Sequence, residues 1–303
     1  MRNGAVLVGM SAVFYGVMPL ITTVFYDMGF SVISASFWRF LPIVPALLVV
    51  CCASGVQVRM PWRRALAVCL RCGVPSGLTM FLLNASYETI DTGLATTVHF
   101  LYPALVAAGS FLVYHDAITR TLRRAVAIIV VGMAVIAGQV DLGSGGIGLA
   151  CAFLSAVTYA CYLLQLDHGK FDQMNPLVLT LYVAATNSVL MFALGLATTP
   201  VQMPAAGPQL AVALGIAAMS FCALTLLNAG SKRLMAQYTA VFGLLEPLAS
   251  IVCGALFMRE PLGAGKVVGC ALVLYAILSV ALEGRSVADV LPFSRRKRRS
   301  RAA

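Results

Sequence analysis

Long apolar runs that carry almost no charge follow one another along the whole chain, separated by short polar stretches, and this pattern leaves few folds open. Ten such runs are present, at 4–25, 32–53, 65–85, 93–114, 125–141, 146–166, 176–198, 209–229, 238–258 and 266–283. A hydrocarbon core of about 30 Å is crossed by roughly 20 apolar residues in a helix, so the pattern predicts an all-α integral membrane protein with ten transmembrane helices. The run at 125–141 is the shortest of them. Composition agrees: the chain is 60% hydrophobic and 11% charged, whereas soluble domains carry about 25% charged residues. The first run follows Arg2 but is too long for a cleaved leader, and similar runs come after it, so it reads as a retained helix.

Charge then sets orientation. With an even number of crossings, one side receives Arg2, Arg59, Arg63, Arg64, Arg120, Arg123, Arg124, Lys170, Lys232, Arg233 and the tail "SRRKRRSR". The positive-inside rule makes that side cytoplasmic and puts both termini there. The other side receives Asp27, Glu88, Asp91 and Asp141, with Arg259, Glu260 and Lys266 as a mixed patch. Trp62, beside Arg63 and Arg64, suits a headgroup-level anchor. The net charge of +10 does not point to nucleic acid, because the basic residues flank spans or lie in the tail. Anionic lipid is the nearer partner there, at about 1 kcal/mol per basic residue.

Several motifs that carry chemistry elsewhere fail on context. The nine cysteines lie mostly within or beside spans, and "CLRC" at 69–72 has no second pair and no nearby histidine, so no metal site is expected. "GSGGIG" at 143–148, with Asp167 further on, matches a dinucleotide fingerprint only in letters, since apolar spans on both sides leave no room for a βαβ unit. The chain has no P-loop, no H-E-x-x-H and no G-x-S-x-G. No cofactor is expected. An intramembrane enzyme would need a catalytic constellation at depth, and "YD" at 26–27 is a bare dipeptide. A scaffold or sensor would normally attach a soluble module, and residues 284–303 are too few and too charged to form one.

The chain also repeats itself. "SAVFY" at 11–15 returns as "SAVTY" at 155–159, an offset of 144. At the same offset Gly4 meets Gly148, Leu20 meets Leu164, Asn84-Ala85 meets Asn228-Ala229, Leu101 meets Leu245, Pro103 meets Pro247, Leu112 meets Leu256 and Asp116 meets Glu260. Two five-helix units follow, 1–141 and 144–283, with a basic cytoplasmic tail at 284–303. Five is odd, so the second unit enters the membrane from the opposite face, giving the inverted-topology repeat common among secondary transporters.

Candidate site residues sit where this architecture is interrupted. Pro103 and Pro247 break helices in mid-span and leave carbonyls to be satisfied by neighbours, water or ligand. Asp116 and Glu260, the latter before Pro261, suit caps for the last helix of each unit. Among charges at membrane depth, Arg71 can snorkel towards Arg63 and Arg64. Arg39 either snorkels outward or turns inward as a counter-charge. His99 is either a satisfied structural imidazole or a pH-sensitive gate. Glu246 either carries a proton as a cavity alternates between faces or supports the kink at Pro247. Tyr15, Tyr87, Tyr102 and Tyr159 either pack or line an aromatic pocket for amphipathic solutes.

The doubled unit, "FLYPALVAAGSFLVYHDAI" at 100–118 and "LEPLASIVCGALFMREPLGAGKVVG" at 245–269 resemble the EamA-like branch of the drug/metabolite transporter superfamily over nearly the whole chain up to about Glu283. The first half departs from the second, with Tyr102 where Glu246 stands and His115-Asp116 in place of Arg259-Glu260. The resemblance implies a ten-helix carrier of a bacterial plasma membrane, often an exporter of amino acids, metabolites or drugs.

Overall fold

The computed structural model describes residues 2–87, 89–90, 92–137, 146–169, 171, 174–205, 207–257 and 263–290. Glu88, Asp91, Asp141, Lys170, Arg259, Glu260, Pro261 and most of the basic tail lie outside the described residues. Every regular element described is helical: α1 (Arg2–Asp27), α2 (Val32–Phe40), α3 (Ile43–Ala53), α4 (Trp62–Val68), a π-helical turn (Cys69–Gly73), α5 (Val74–Tyr87), α6 (Thr92–His99), α7 (Tyr102–Leu112), α8 (Arg120–Ala137), α9 (Gly146–His168), α10 (Pro176–Ala197), α11 (Pro208–Ser231), α12 (Ala236–Gly243), α13 (Leu245–Phe257) and α14 (Ala264–Val290). Consecutive short helices combine into longer segments, and among the described residues nine segments are long and apolar enough to cross a membrane. The remaining helix, α8, begins with Arg120, Arg123 and Arg124, which leaves a short charge-poor stretch. It nevertheless packs along α14.

Local chemistry fixes the ends of these elements. The Ser31 hydroxyl accepts the Ser34 N–H at 3.2 Å at the start of α2, and Asn175 accepts the Leu177 N–H at 2.9 Å just ahead of Pro176 in α10. For α8 the cap is Thr119, whose hydroxyl accepts the Leu122 N–H at 3.2 Å. The expectation that Asp116 caps this helix is therefore corrected: its carboxylate is turned to His168, 3.0 Å away, because the turn after α7 carries it towards the end of α9.

The fourth segment of each half is broken in the same place. The helices α6 and α12 span positions that correspond at both ends under the repeat offset. The chain then passes through Leu101 (φ −74°, ψ −8°) or Leu244 (φ −70°, ψ 0°) before α7 or α13 resumes. Pro103 and Pro247 lie in the first turns after these joints. Having no N–H, each proline leaves the carbonyl four residues back, on His99 or Gly243, without its helical donor.

Contacts between segments follow the repeat. Helix α1 packs on α11 and α13, and its counterpart α9 packs on α5 and α7, while α2 lies on α10 and α8 on α14. The α1–α11 pair is antiparallel: Ser11 donates to the Ala223 carbonyl at 2.7 Å and Ser220 donates to Met18 Sδ at 3.5 Å. The α5–α9 pair is antiparallel too, with the Thr79 and Thr158 hydroxyls 2.9 Å apart and Gly148 against Ile90. In contrast α5 and α10 run parallel, Gly73 facing Thr186 and Gly77 facing Leu190. One polar contact recurs in both halves: Asn84 donates to Ser36 Oγ at 3.2 Å, and the corresponding Asn228 donates to Thr180 Oγ1 at 3.0 Å. Backbones also approach closely where α8 crosses α14, since a β-carbon at Gly269 would lie 2.6 Å from the Gly132 carbonyl oxygen.

Candidate functional site

The two joints bring the start of α7 and the start of α13 into the interior, where helix N-termini present backbone N–H groups without intrahelical partners. Glu246 lies in the first turn of α13, so its carboxyl sits at the positive end of that helix. Helix α1 passes directly over it. A side chain at Gly16 would strike the Glu246 backbone and come within 2.6 Å of the Ala249 β-carbon.

Arg39, near the end of α2, turns inward. Its guanidinium carbon stands 5.3 Å from the centroid of the Tyr15 ring, within cation–π range. Its Nε is buried with no hydrogen-bond partner among the described residues. Arg39, Tyr15 and Glu246 act on one another electrostatically, and Tyr87 belongs to the same group. Arg39 and Glu246 do not form a contact ion pair. Tyr15, Arg39, Tyr87, Tyr159 and Glu246 are half-buried, with Tyr87 at the end of α5 and the others further inside their segments.

The second group is packed shut. His99 is 7% exposed and Tyr102 1% exposed. The Tyr102 and Tyr159 rings meet edge to face at 4.7 Å, and His99 lies 5.6 Å from each of them. Ser155 Oγ lies 2.6 Å from the Ala152 carbonyl oxygen and 3.0 Å from His99 Nδ1, which ties the imidazole to α9. Tyr102 donates to the Ala240 carbonyl at 3.3 Å, and a β-carbon at Gly243 would lie 2.6 Å from the Tyr102 hydroxyl oxygen. Beside this cluster Tyr162 donates to Asn228 Oδ1 at 2.7 Å, extending the Asn228–Thr180 contact.

Equivalent interfaces are not equally closed. Helix α12 packs on α7, α1 and α9, and its residues Ala236–Phe242 are all buried. The helix in the corresponding position, α6, packs on α9, α5 and α8, but among the described residues its contact with α13 and with α1 is slight at most. The α7–α12 pair is therefore closely packed at one end of the molecule, and the corresponding α6–α13 pair at the other end is packed far less. Glu246, Arg39, Tyr15 and Tyr87 border the less packed end; His99, Tyr102 and Tyr162 belong to the closely packed one.

A model of the EamA-like transporter family matches residues 2–138 and, a second time, residues 146–282. The chain belongs to the EamA-like transporter family. A curated relative, an uncharacterized transporter of Synechocystis sp., is 25% identical over 235 residues, which make up 73% of this chain and 68% of the relative. A solved crystal structure matches with a TM-score of 0.79 over 94% of this chain and 99% of its own, at 16% identity, a likeness of fold alone. This EamA-like protein is a multi-pass membrane transporter, and the family points to transport without catalysis.

Some residues of the transporter's interior escaped the sequence reading. Tyr162 lies three residues after the repeated "SAVTY" and had no match in the first half to mark it. Asn84 and Asn228 were visible as a repeat match, but nothing in the letters showed that Ser36 and Thr180, also separated by the repeat offset, are their partners. His168 and Asp167 stand at a helix end, where charged residues are ordinary, and only the fold brings Asp116 to them.

Proposed function

We propose that this transporter is a secondary carrier that exports small amphipathic or zwitterionic solutes, amino acids and drug-like compounds among them, by alternating access between two inverted repeats. The observation that carries the reading is the unequal packing of corresponding interfaces, close at α7–α12 and far looser at α6–α13. Two equivalent gates in opposite states are what a rocking carrier requires. The antiparallel α1–α11 and α5–α9 pairs and the parallel α5–α10 pair fit repeats of opposite sense, taken as units 1–141 and 144–283 with a tail at 284–303. On this reading α8 is the tenth crossing, both termini are cytoplasmic in the plasma membrane, and the closed gate faces the cytoplasm. The basic tail then lies against anionic lipid.

The solute site we assign is the space bordered by Tyr15, Arg39, Tyr87, Tyr159 and Glu246. Arg39 offers a buried donor with no protein partner, Glu246 offers a carboxyl at a helix N-terminus, and the tyrosines offer aromatic faces. That set suits a solute with a carboxylate, an amine and an apolar body. Pro103 and Pro247 keep the joints from closing into continuous helices. A separate cavity of about 760 Å³, lined by Val6, Met10, Phe14, Leu274, Leu278 and other apolar residues, has no charged group and is not the solute site. Export is the direction that the family resemblance implies, and Glu246 is the candidate for proton coupling.

Purified protein in liposomes, assayed for flux of amino acids and lipophilic cations with and without a pH gradient, tests the reading. Saturable flux that Arg39→Ala or Glu246→Gln alters supports it. Turnover of bound solute without any flux moves the assignment to an intramembrane enzyme.

A further inference from the structure

At the closely packed end, Asp116, from the turn after α7, meets Asp167 and His168, from the last turn of α9. His168 Nε2 lies 3.0 Å from Asp116 Oδ2 and 3.7 Å from Asp167 Oδ2, and the three potential ligand atoms fall within 4.8 Å of one another. Two carboxylates converge on one ring nitrogen, which carries at most one proton. Asp116 lies within hydrogen-bond range of that nitrogen, and Asp167 lies beyond it and takes the Ala236 N–H instead, so two carboxylates face one ring nitrogen.

We propose that these three side chains form a binding site for a divalent transition-metal ion of the zinc class. Zinc bound tetrahedrally at 2.0–2.2 Å by nitrogen and oxygen holds its ligands about 3.3–3.6 Å apart. The imidazole nitrogen stands 3.0 and 3.7 Å from the two carboxylates, and all three atoms lie within 4.8 Å of one another, so small side-chain shifts bring them to that spacing. One imidazole and two carboxylates leave the fourth position for water. Access is available, because the side chains of Asp116, Asp167 and His168 are 18%, 22% and 21% exposed.

Supporting contacts hold the ligands in place. The Tyr114 ring stacks on His168 at 3.9 Å and 7°, and Gln165 donates to the Tyr114 hydroxyl at 3.2 Å. Asp167 Oδ2 accepts the Ala236 N–H at 2.7 Å and keeps a further lone pair for a metal. Such surrounding bonds orient metal ligands and tune affinity. Neutral imidazole is the ligating form, with its proton on Nδ1.

The site ties together the turn after α7, the end of α9 and, through Ala236, the start of α12. A bound ion clamps the gate that is already shut. The positions corresponding to Asp167 and His168 under the repeat offset are Thr23 and Val24, so this donor set does not recur at the end of α1. Metal binding itself stands apart from the transport reading; only its effect on flux depends on that reading.

The test uses full-length protein in detergent, titrated with Zn²⁺ and separately with Mg²⁺, followed by calorimetry and thermal unfolding. Saturable micromolar Zn²⁺ binding with a rise in Tm is expected, and Mg²⁺ at the same concentrations is expected to be inert. Asp116→Asn, which keeps the side-chain shape, and His168→Gln should each weaken Zn²⁺ binding by about tenfold or more. Repeating the titration in a version with the nine cysteines replaced by serine or alanine removes thiol binding from the result. Absence of saturable Zn²⁺ binding, or binding equally tight in both variants, overturns the proposal and leaves a hydrogen-bonded His–Asp contact.

Discussion

The Arg39 guanidinium rests 5.3 Å from the centroid of the Tyr15 ring, joining the first two membrane segments at the level of Glu246. A cation over an aromatic face gains about 0.5–2 kcal/mol, more when water is excluded. That contact leaves the buried Nε free to meet a solute. Replacement of Arg39 by Ala should weaken binding of carboxylate-bearing solutes at least about tenfold, the equivalent of one charge-assisted hydrogen bond. Replacement by Lys keeps the charge but loses the planar fork, and should fall between the two. Calorimetric titration of purified protein with a transported amino acid measures both, and equal affinity in all three proteins contradicts the assigned site.

Glu246→Gln keeps the size and hydrogen-bonding capacity of the side chain while removing its exchangeable charge. If Glu246 carries the coupling proton, this variant binds solute and exchanges it across liposomes but no longer responds to a pH gradient. Full gradient-driven flux in Glu246→Gln removes proton coupling through this residue.

Gly16 allows α1 to lie on the first turn of α13. Any larger residue must push the two helices apart, because its β-carbon meets Glu246 backbone and the Ala249 β-carbon at once. Overpacking of this kind costs about 1–3 kcal/mol. Gly16→Val is expected to lower Tm by several degrees and to impair flux, whereas Gly215→Ala, with open space around it, should leave both unchanged. Both are read by thermal unfolding and liposome assay.

Asn84 and Asn228 occupy corresponding positions but carry different loads. Asn228 is fully buried, donating to Thr180 and accepting from Tyr162, whereas half-buried Asn84 donates to Ser36. Truncation of Asn228 strands the buried Tyr162 hydroxyl at about 1–3 kcal/mol and removes a bond to Thr180, which keeps its bond to the Pro176 carbonyl. Asn228→Ala should therefore reduce thermal stability more than Asn84→Ala in the same detergent.

At the sealed gate, the Tyr102 hydroxyl reaches across from α7 to the Ala240 carbonyl of α12. Tyr102→Phe removes a bond of about 0.5–1.5 kcal/mol with little change in shape. The population with this gate open should rise several-fold, read as faster labelling by a membrane-impermeant thiol reagent of a cysteine placed at Thr239 in a cysteine-free background. An unchanged labelling rate shows that this bond does not hold the gate.

Much of the architecture was written in simple periodicities. Apolar run length gave the membrane segments, and the repeat offset anticipated that α6 and α12 would begin and end at corresponding residues. Pro103 and Pro247 marked the breaks because a missing N–H is a local property of one residue. The fifth run read as a span from its apolar letters, but its helix begins at Arg120 and takes three arginines into its first turns, which shortens the charge-poor part. Orientation of Arg39 could not be read, since snorkelling outward and turning inward need the same side chain at the same depth. Nor could the partner of Asp116, because its meeting with His168 depends on how α7 and α9 pack across 52 residues of chain. Equivalence under a repeat says which interfaces correspond; it carries no information on which of them is closed.

Where α8 crosses α14, peptide groups touch with only glycine between them. Each of these helices is the other's counterpart under the repeat, so a rocking motion that exchanges the roles of the two halves returns this pair to itself. The contact has no need to separate in either state. It can serve as a fulcrum, and bulk added at Gly132 or Gly269 should slow the swing of the halves without altering which solutes are accepted.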